Sequence, residues 1–183
     1  VSMLTGKNIV LGVTGGIAAY KSTYIINKFV IDLHANVDVI MTKNAETFIA
    51  EQTLRNLSRN LVIRDMFREP GIWSVEHISL ARKADCFLIA PCTANVIGKI
   101  ANGIADDMLT TTVMATRAPV VIAPAMNDKM YTNPIVEENM AKLKKHGYHF
   151  LEPHEGVLAY GGVGKGELAG VDEIADCVVT LLK

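Results

Sequence analysis

Residues Asn8–Lys21 read NIVLGVTGGIAAYK, and this stretch decides the fold. The first half, Asn8–Val13, is short, apolar and β-branched, which is typical of a buried strand. The chain then passes through a glycine-rich turn into a segment with apolar residues at helical spacing, which predicts a helix over Gly15–Leu33. A strand that leads through such a turn into a helix is typical of α/β domains.

The same alternation continues along the chain. Further strands are predicted at Val37–Met41, Cys86–Ala90, Val120–Ala123 and Tyr148–Leu151. Further helices are predicted at Asn44–Asn56, Ile78–Lys83, Asn95–Ala101, Asp107–Ala115, Pro134–His146 and Asp172–Leu182. This alternation predicts a parallel sheet covered on both faces, in a three-layer α/β/α domain. The glycine-rich stretch Glu152–Gly170 is instead predicted to be an irregular loop that acts as a flexible flap.

The overall composition narrows the class of protein. The 183 residues suffice for one domain, 1–183, and the net charge of −1 gives no basic field that would attract nucleic acid. The apolar runs are too short for a membrane span and the first residues do not form a signal peptide, so we predict a cytoplasmic protein. Cys86, Cys92 and Cys177 lack Cys-x-x-Cys spacing, which fits a reducing compartment and predicts no metal site.

The glycine turn suggests a phosphate ligand. Gly15, Gly16 and Ile17 open a helix, where backbone N–H groups can approach an anion, although the turn matches neither Gly-x-Gly-x-x-Gly nor a phosphate loop. A dinucleotide site normally has an acidic residue after the second strand, whereas this chain has Thr42-Lys43-Asn44. These groups favour a mononucleotide, with FMN ahead of a nicotinamide dinucleotide. The alternative is a tight turn that binds nothing.

Two later strand ends also carry small polar groups. Thr93-Ala94-Asn95 follows the strand Cys86–Ala90, where Thr93 and Asn95 either cap the next helix or contact a ligand. Asn127 lies in Pro124–Tyr131, and its uncharged amide suits the orientation of a carboxylate or an amide rather than proton transfer. Because parallel strands end at one edge of a sheet, all these groups are predicted to line one site.

Few titratable residues are candidates for catalysis. His77 matches proton transfer near neutral pH, but a lone histidine ahead of a helix is also a common surface or capping residue. Asp106 and Asp107 either form a catalytic carboxylate pair or cap a helix. Met126 and Met130 either face a flavin ring or pack in the core.

Three segments carry a resemblance to a known family. Gly15–Lys21, Thr93–Gly103 and Pro124–Tyr131, taken in this order, resemble the homo-oligomeric flavin-containing cysteine decarboxylases. The resemblance extends from about Gly6 to Ile174 and is greatest to the coenzyme A branch of that family. It implies a flavodoxin-like fold, and a carboxy-lyase that converts 4'-phosphopantothenoylcysteine to 4'-phosphopantetheine or its enethiol form.

The resemblance also implies the cofactor site and the assembly. Gly15–Ile17 and Thr42–Asn44 would hold the phosphate of FMN, while Thr93–Val96, Ala125 and Met126 would line the flavin. Members of the family assemble as trimers or dodecamers with the flavin at subunit contacts, and some are fused to phosphopantothenate-cysteine ligase. The flavin oxidises the cysteine side chain, which creates an electron sink for the loss of carbon dioxide.

The catalytic residues follow from the same resemblance, with one departure. Asn127 contacts the substrate carboxylate and His77 is the catalytic base. The family's proton donor is a cysteine in Leu-Ala-Cys-Gly, where this chain has Tyr160, and Glu167 stands where the family usually has arginine. Three interpretations remain open: Tyr160 donates the proton, the enethiol is released as in lantibiotic peptidyl-cysteine decarboxylases, or flavin binds without turnover. A phosphatase-regulating role is disfavoured because the long acidic tail is missing, and prenyl transfer because its motifs do not match.

Overall fold

The computed structural model describes residues 3–66, 76–157, 159 and 161–183. In this part of the chain, six parallel strands form a sheet in the order β3-β2-β1-β4-β5-β6. The strands are β1 (Asn8–Val13), β2 (Asn36–Met41), β3 (Val62–Ile63), β4 (Cys86–Cys92), β5 (Val120–Pro124) and β6 (His149–Phe150). When the two-residue β3, which the sequence did not predict, is set aside, this is the strand order of flavodoxin.

The central strand β1 shows why the sequence pattern was informative. It pairs in parallel with β2 on one side and β4 on the other, so that Ile9 lies opposite both Val37 and Cys86. Its residues Ile9, Val10 and Leu11 are fully buried, with Val10 on the opposite face of the sheet from the other two. A strand covered on both faces has no polar side, which explains its continuous apolar run.

Helices cover both faces of the sheet. One layer contains α1 (Ser22–Asn27), α2 (Glu51–Ser58) and α8 (Val171–Leu181). The other layer contains α3 (Glu76–Lys83), α4 (Ala94–Ala101), α5 (Met108–Ala115) and α7 (Pro134–Lys145). The prediction of a flavodoxin-like, three-layer α/β/α fold is therefore confirmed. No helix in the described ranges is long and apolar enough to cross a membrane.

The helix predicted over Gly15–Leu33 is present but not uniform. The chain is helical from Ile17 to Asp32, beginning with the 3₁₀ segment Ile17–Lys21 and ending with the π-helical turn Lys28–Asp32 on either side of α1. The 3₁₀ turn tightens the start of the helix directly after the glycine turn.

The prediction that Glu152–Gly170 is irregular is wrong for much of that stretch. β7 (His154–Val157) and β8 (Val163–Glu167) pair antiparallel as a hairpin. Glycine and charged residues dominate both strands, so the alternation that normally indicates a strand is missing. Contacts with the rest of the domain fix the base of the hairpin instead, including an ion pair of 2.7 Å between Glu167 and Lys21.

A ladder of side-chain amides ties the strands together at the amino-terminal edge of the sheet. Asp85 accepts from the Asn8 backbone N–H at 2.7 Å, and Asn8 in turn accepts from the Asn36 side chain at 3.0 Å. Asn60 then donates to the Asn36 side chain at 3.0 Å and to the Val37 carbonyl at 2.8 Å. These bonds link the chain around β4, β1, β2 and the turn before β3.

A single hydroxyl joins the strands at the opposite, carboxyl-terminal edge. Thr14 is fully buried directly after β1, where its Oγ1 donates to the Pro91 carbonyl at 2.7 Å and accepts from the Thr93 N–H at 3.0 Å. β1 and β4 are the strands between which the connections reverse direction, which is where open α/β sheets bind their ligands.

Candidate cofactor and active site

A pocket of about 720 Å³ opens at the carboxyl-terminal edge of the sheet, beside Thr14. This size is within the range of pockets for small molecules and cofactors. The segments that follow β1, β2, β4 and β5 all contribute to its wall, and the hairpin closes one side through Val157, Ala159 and Gly166–Leu168. The four predicted strand ends therefore meet at one site.

Most of the residues predicted from the sequence line this pocket. They are Gly15, Gly16, Ile17, Thr42, Lys43, Asn44, Thr93, Ala94, Asn95, Val96, Ala125, Met126 and Asn127. Met130, which the sequence also singled out, lies among them. The pocket thus combines backbone and small polar groups with an apolar side formed by methionine, valine and alanine.

The glycine turn and the segment after β2 form a cradle for an anion. A Cβ atom on Gly15 would overlap Asn44 and lie 2.7 Å from the Asn44 carbonyl carbon, so only glycine allows this approach. Thr42 Oγ1 is the one buried side-chain polar atom in the described ranges that has no hydrogen-bond partner. A buried hydroxyl without a partner is costly, and an oxygen-rich ligand such as a phosphate would satisfy it.

Asn127 presents its amide in one orientation. Its Oδ1 accepts from the Lys129 N–H at 2.9 Å and caps the short helix α6 (Asp128–Tyr131). The Asn127 NH₂ group makes no hydrogen bond with the described residues and remains available as a donor at the pocket wall. Because an NH₂ group donates and does not accept, this arrangement suits a ligand carboxylate.

Helix capping accounts for some of the polar residues that the sequence marked as candidates for binding or catalysis. Thr93 Oγ1 accepts from the Val96 N–H at 3.4 Å at the start of α4, so Thr93 both caps a helix and lines the pocket. Asp107 caps α5 in a reciprocal arrangement with Thr110. Asp106 is held by Lys99 at 2.8 Å, which lowers the pKa of its carboxyl group. Asp106 and Asp107 therefore have structural partners, and of the two only Asp107 also lines the pocket.

The sequence prediction missed a set of charged residues in the pocket wall. Lys21 contacts Glu167 at 2.7 Å, and this hydrogen bond lowers the pKa of the Glu167 carboxyl group. Arg64 lies 3.0 Å from Glu51, and Lys99 is held by Asp106 as described. Lys21 follows Ile17 by four residues, so helical spacing could have indicated that both lie on the same side. Arg64 comes directly after β3, which the sequence did not predict, so no signal placed Arg64 at the edge where the pocket lies.

His77 does not line the pocket of its own chain. It lies half-buried in the first turn of α3, and the far end of that helix is tied to β2 by a 2.6 Å ion pair between Lys83 and Asp38. α3 leads back to the start of β4, so His77 lies toward the edge of the sheet at which the strands end. Tyr160, the other proposed catalytic residue, lies outside the described residues. No cluster of metal-ligating side chains occurs in the described ranges.

The fold and the pocket define a flavodoxin-like protein with a mononucleotide-sized site at the switch point of its sheet. A family model described as Flavoprotein matches residues 1–183. The chain therefore belongs to the Flavoprotein family.

Curated relatives give a narrower comparison. The coenzyme A biosynthesis bifunctional protein CoaBC of Bacillus subtilis is 51% identical over 172 residues, which cover 94% of this chain but only 42% of that protein. A probable phosphopantothenoylcysteine decarboxylase of Streptococcus mutans is 44% identical over 170 residues, with 92% of this chain and 94% of that protein covered. The chain thus spans less than half the length of its CoaBC relatives and nearly the full length of the Streptococcus mutans relative.

Solved structures agree with this assignment. A mutant PPC decarboxylase complexed with pantothenoylaminoethenethiol matches with a TM-score of 0.83 and 31% identity, covering 94% of this chain and 96% of the other. The FMN-dependent cysteine decarboxylase SpaF matches with a TM-score of 0.86 and 28% identity, covering 98% and 99%. The structural neighbours thus include a PPC decarboxylase and an FMN-dependent cysteine decarboxylase.

Proposed function

We propose that this chain binds FMN and decarboxylates a cysteine-derived carboxylate, with 4'-phosphopantothenoylcysteine as its substrate and 4'-phosphopantetheine or its enethiol form as the product. The similarity to CoaBC and to a probable phosphopantothenoylcysteine decarboxylase supports this substrate. The observation that carries the proposal is the orientation of Asn127, whose NH₂ group is left as a donor at the wall of a cofactor-sized pocket.

The residues present fit FMN. Thr42 Oγ1 and the turn at Gly15 and Gly16 suit its phosphate, because the hydroxyl lacks a partner and the glycines leave the backbone accessible. The apolar side chains of Val96 and Met126 suit the flavin ring system. When bound, FMN supplies the two-electron oxidation that makes loss of carbon dioxide from a cysteine derivative feasible.

This chain's own residues would bind and orient the substrate. The NH₂ group of Asn127 would donate to the carboxylate and hold it in place without a charge, so that neutral carbon dioxide could leave while the electron pair of the broken bond stays on the oxidised cysteine group. A cation at this position would stabilise the carboxylate in the ground state and would slow its loss. Lys21, the cation on the hairpin side of the pocket, is neutralised by Glu167 at 2.7 Å.

A second copy of the chain would supply the base. His77 does not line the pocket of its own chain, so it would act at the site of a neighbouring subunit in a homo-oligomer, either a trimer or a multiple of trimers. Exposed apolar side chains along the first helix support assembly, since Ile17, Tyr20 and Tyr24 are 62%, 48% and 59% exposed close to the pocket. Exposed large apolar side chains that lie close together in sequence are a feature of interaction surfaces.

The substitution of Tyr160 for the family's cysteine favours a second candidate, an oxidative decarboxylase that releases an enethiol from a peptide with a terminal cysteine. A flavin-binding paralogue without activity is the third. Product mass distinguishes the three when purified protein is incubated with phosphopantothenoylcysteine and with cysteine-terminated peptides. Decarboxylation with reduction lowers the mass by about 44 Da and oxidative decarboxylation by about 46 Da. Flavin absorbance with neither mass change would support binding alone, and a colourless protein would contradict the proposal.

Two wider aspects belong to the same proposal. CoaBC relatives are more than twice as long as this chain, so the decarboxylase would be fused to, or act beside, phosphopantothenate-cysteine ligase.

Cys86, Cys92 and Cys177 are free thiols, which is consistent with the reducing conditions of a cytoplasm. Burial raises the pKa of the Cys86 thiol to about 12, so this group is unreactive at neutral pH.

A further inference from the structure

β8 contacts the segment around Asn127 through its backbone. The Met126 N–H donates to the Gly166 carbonyl at 3.1 Å. A Cβ atom on Gly166 would overlap the Met126 carbonyl oxygen and lie 3.4 Å from the Asp128 nitrogen. A Cβ atom on Gly164 would lie 2.8 Å from the Cβ atom of Asp128. The two segments therefore approach more closely than any side chain at these glycines would permit.

The segment is also fixed on its other side. The Ala125 N–H donates to the Cys92 carbonyl at the end of β4 at 3.1 Å. Within the segment, Asn127 accepts from the Lys129 N–H through its side chain and from the Tyr131 N–H through its carbonyl, each at 2.9 Å. The backbone leading into Asn127 is thus held between β4 and β8 by successive N–H groups.

β8 is itself anchored at both ends of this contact. Glu167 pairs with Lys21 at 2.7 Å, and Lys165 pairs with Glu152 at 2.8 Å. A Cβ atom on Gly156, in β7, would overlap Glu167 Oε2, so Gly156 leaves the space that the Glu167 carboxylate occupies. β8 can therefore serve as a fixed support and is not a freely moving lid.

We infer that Gly166 is a positioning residue for Asn127: the backbone of β8 sets the place and angle from which the Asn127 amide reaches the substrate carboxylate. The role of the carboxylate rests on the proposed function, whereas the contact between β8 and the Asn127 segment does not. A methyl group at residue 166 displaces the Met126 carbonyl, breaks the bond from the Met126 N–H, and moves Asn127 away from the ligand.

The contact can be tested by amide hydrogen exchange on the FMN-loaded protein. Gly166→Ala is expected to speed exchange in residues 125–131 by about tenfold or more, because a backbone hydrogen bond in this segment is lost. Gly98→Ala in α4 is the control, since its methyl group would make only an ordinary contact of 3.7 Å with Asn139 Nδ2, and it should change that exchange by less than about threefold. Unchanged exchange in Gly166→Ala overturns the inference.

Substrate kinetics then test the consequence for Asn127. Gly166→Ala should raise KM for the cysteine substrate by about tenfold with flavin content preserved, which a loss of folded protein would not produce. The double variant that carries both Gly166→Ala and Asn127→Asp should lose no more kcat/KM than Asn127→Asp alone, because both substitutions act through the same amide. Additive losses, or an unchanged KM, overturn the positioning role. If Gly166→Ala does not fold, Gly164→Ala replaces it with the same expected directions.

A failure of the proposed function gives a different result. In that case wild-type protein converts neither phosphopantothenoylcysteine nor cysteine-terminated peptides, while the exchange experiment still decides whether β8 holds the Asn127 segment.

Discussion

The side-chain oxygen of Asn127 lies 2.9 Å from the backbone nitrogen of Lys129, and this contact separates two roles of one amide. The oxygen caps α6, whereas the NH₂ group has no hydrogen-bond partner among the described residues and can donate to a ligand at the pocket wall. An aspartate at residue 127 keeps the cap but has no donor and adds a negative charge. An alanine has neither group.

We therefore expect Asn127→Asp to fold normally but to lose substrate binding. Its kcat/KM should fall by about 100-fold or more, because a carboxylate would meet the substrate carboxylate without a donor between them. Asn127→Ala should in addition lower the free energy of unfolding by about 1 kcal/mol through loss of the cap. Steady-state kinetics and urea denaturation of the two variants measure these effects. Equal activity of Asn127→Asp and wild type would contradict the assignment.

His77→Asn should abolish turnover while flavin remains bound, since the cofactor pocket of each chain does not include His77. If neighbouring copies share a site, coexpression of His77→Asn with Asn127→Asp restores activity. Random mixing would leave about a quarter of the sites with both wild-type residues. Each variant expressed alone provides the control. A mixture as inactive as its components would show that His77 does not act across a subunit contact.

Acid should loosen the base of the hairpin. The hydrogen bond from Lys165, and then that from Tyr131, lowers the pKa of Glu152 below its ordinary value of 4.5. A carboxyl group whose pKa is lowered on folding stabilises the protein above its unfolded pKa, and this contribution is lost as the pH falls through the folded value. Hydrogen exchange in β7 and β8 should therefore quicken as the pH drops below about 4.5, after correction for intrinsic rates.

Lys165→Met provides the comparison for this effect. It removes the main partner of Glu152, so the acid dependence of hairpin exchange should flatten. The ion pair should stabilise the hairpin by less than about 1 kcal/mol, because both side chains are exposed and the pair is screened by salt. An identical pH profile in wild type and variant would mean that the ion pair does not hold the hairpin.

The amide ladder at the other edge of the sheet should contribute to stability alone. Asn36→Ala breaks the bonds to Asn8 and Asn60 and should lower the free energy of unfolding by about 1–2 kcal/mol without altering flavin affinity. Asn56→Ala is the matched control, since its 3.0 Å bond to Gln52 is exposed, and its cost should stay below about 0.5 kcal/mol. Urea denaturation measures the free energy of unfolding of both variants. Equal losses would mean that the ladder stabilises the protein no more than an exposed hydrogen bond does.

Tyr160 determines whether the reaction ends in reduction if the resemblance to the family holds. Tyr160→Cys should then change the product from one that has lost about 46 Da to one that has lost about 44 Da, because a thiol is a better proton donor than a phenol near neutral pH. Tyr160→Phe is the control and should give the enethiol product. A wild-type product that has lost only about 44 Da would contradict this prediction, because Tyr160 or another group of the wild-type protein would then already donate the proton for reduction.

The sheet was predictable because its strands are covered on both faces. A run such as Asn8–Val13 has no polar side, and its end at a glycine turn locates the edge where ligands bind. The pocket residues followed from this topology, since Thr42 and Thr93 come directly after strands and Asn127 comes three residues after one. Local sequence was sufficient here because each residue's place depends on the strand beside it.

The hairpin and the charged wall were not predictable in the same way. β8 consists of Val163–Glu167, in which glycine and lysine give no strand pattern, and its position depends on bonds to residues distant in sequence, such as Met126 and Lys21. Long-range contacts of this kind leave no periodic signal. The catalytic role of His77 stays a prediction from the motif, since His77 does not line the pocket of its own chain.

The hydroxyl of Thr14 has a consequence for affinity. By joining the Pro91 carbonyl to the Thr93 N–H, it sets the separation of the glycine turn and the start of α4 when the chain folds. The cofactor edge is thus preorganised, and a ligand that enters it gives up little of its binding energy to order the protein. Cofactor affinity therefore depends on the link between β1 and β4 at this edge, because a change that separates the two strands here weakens both the sheet and the site.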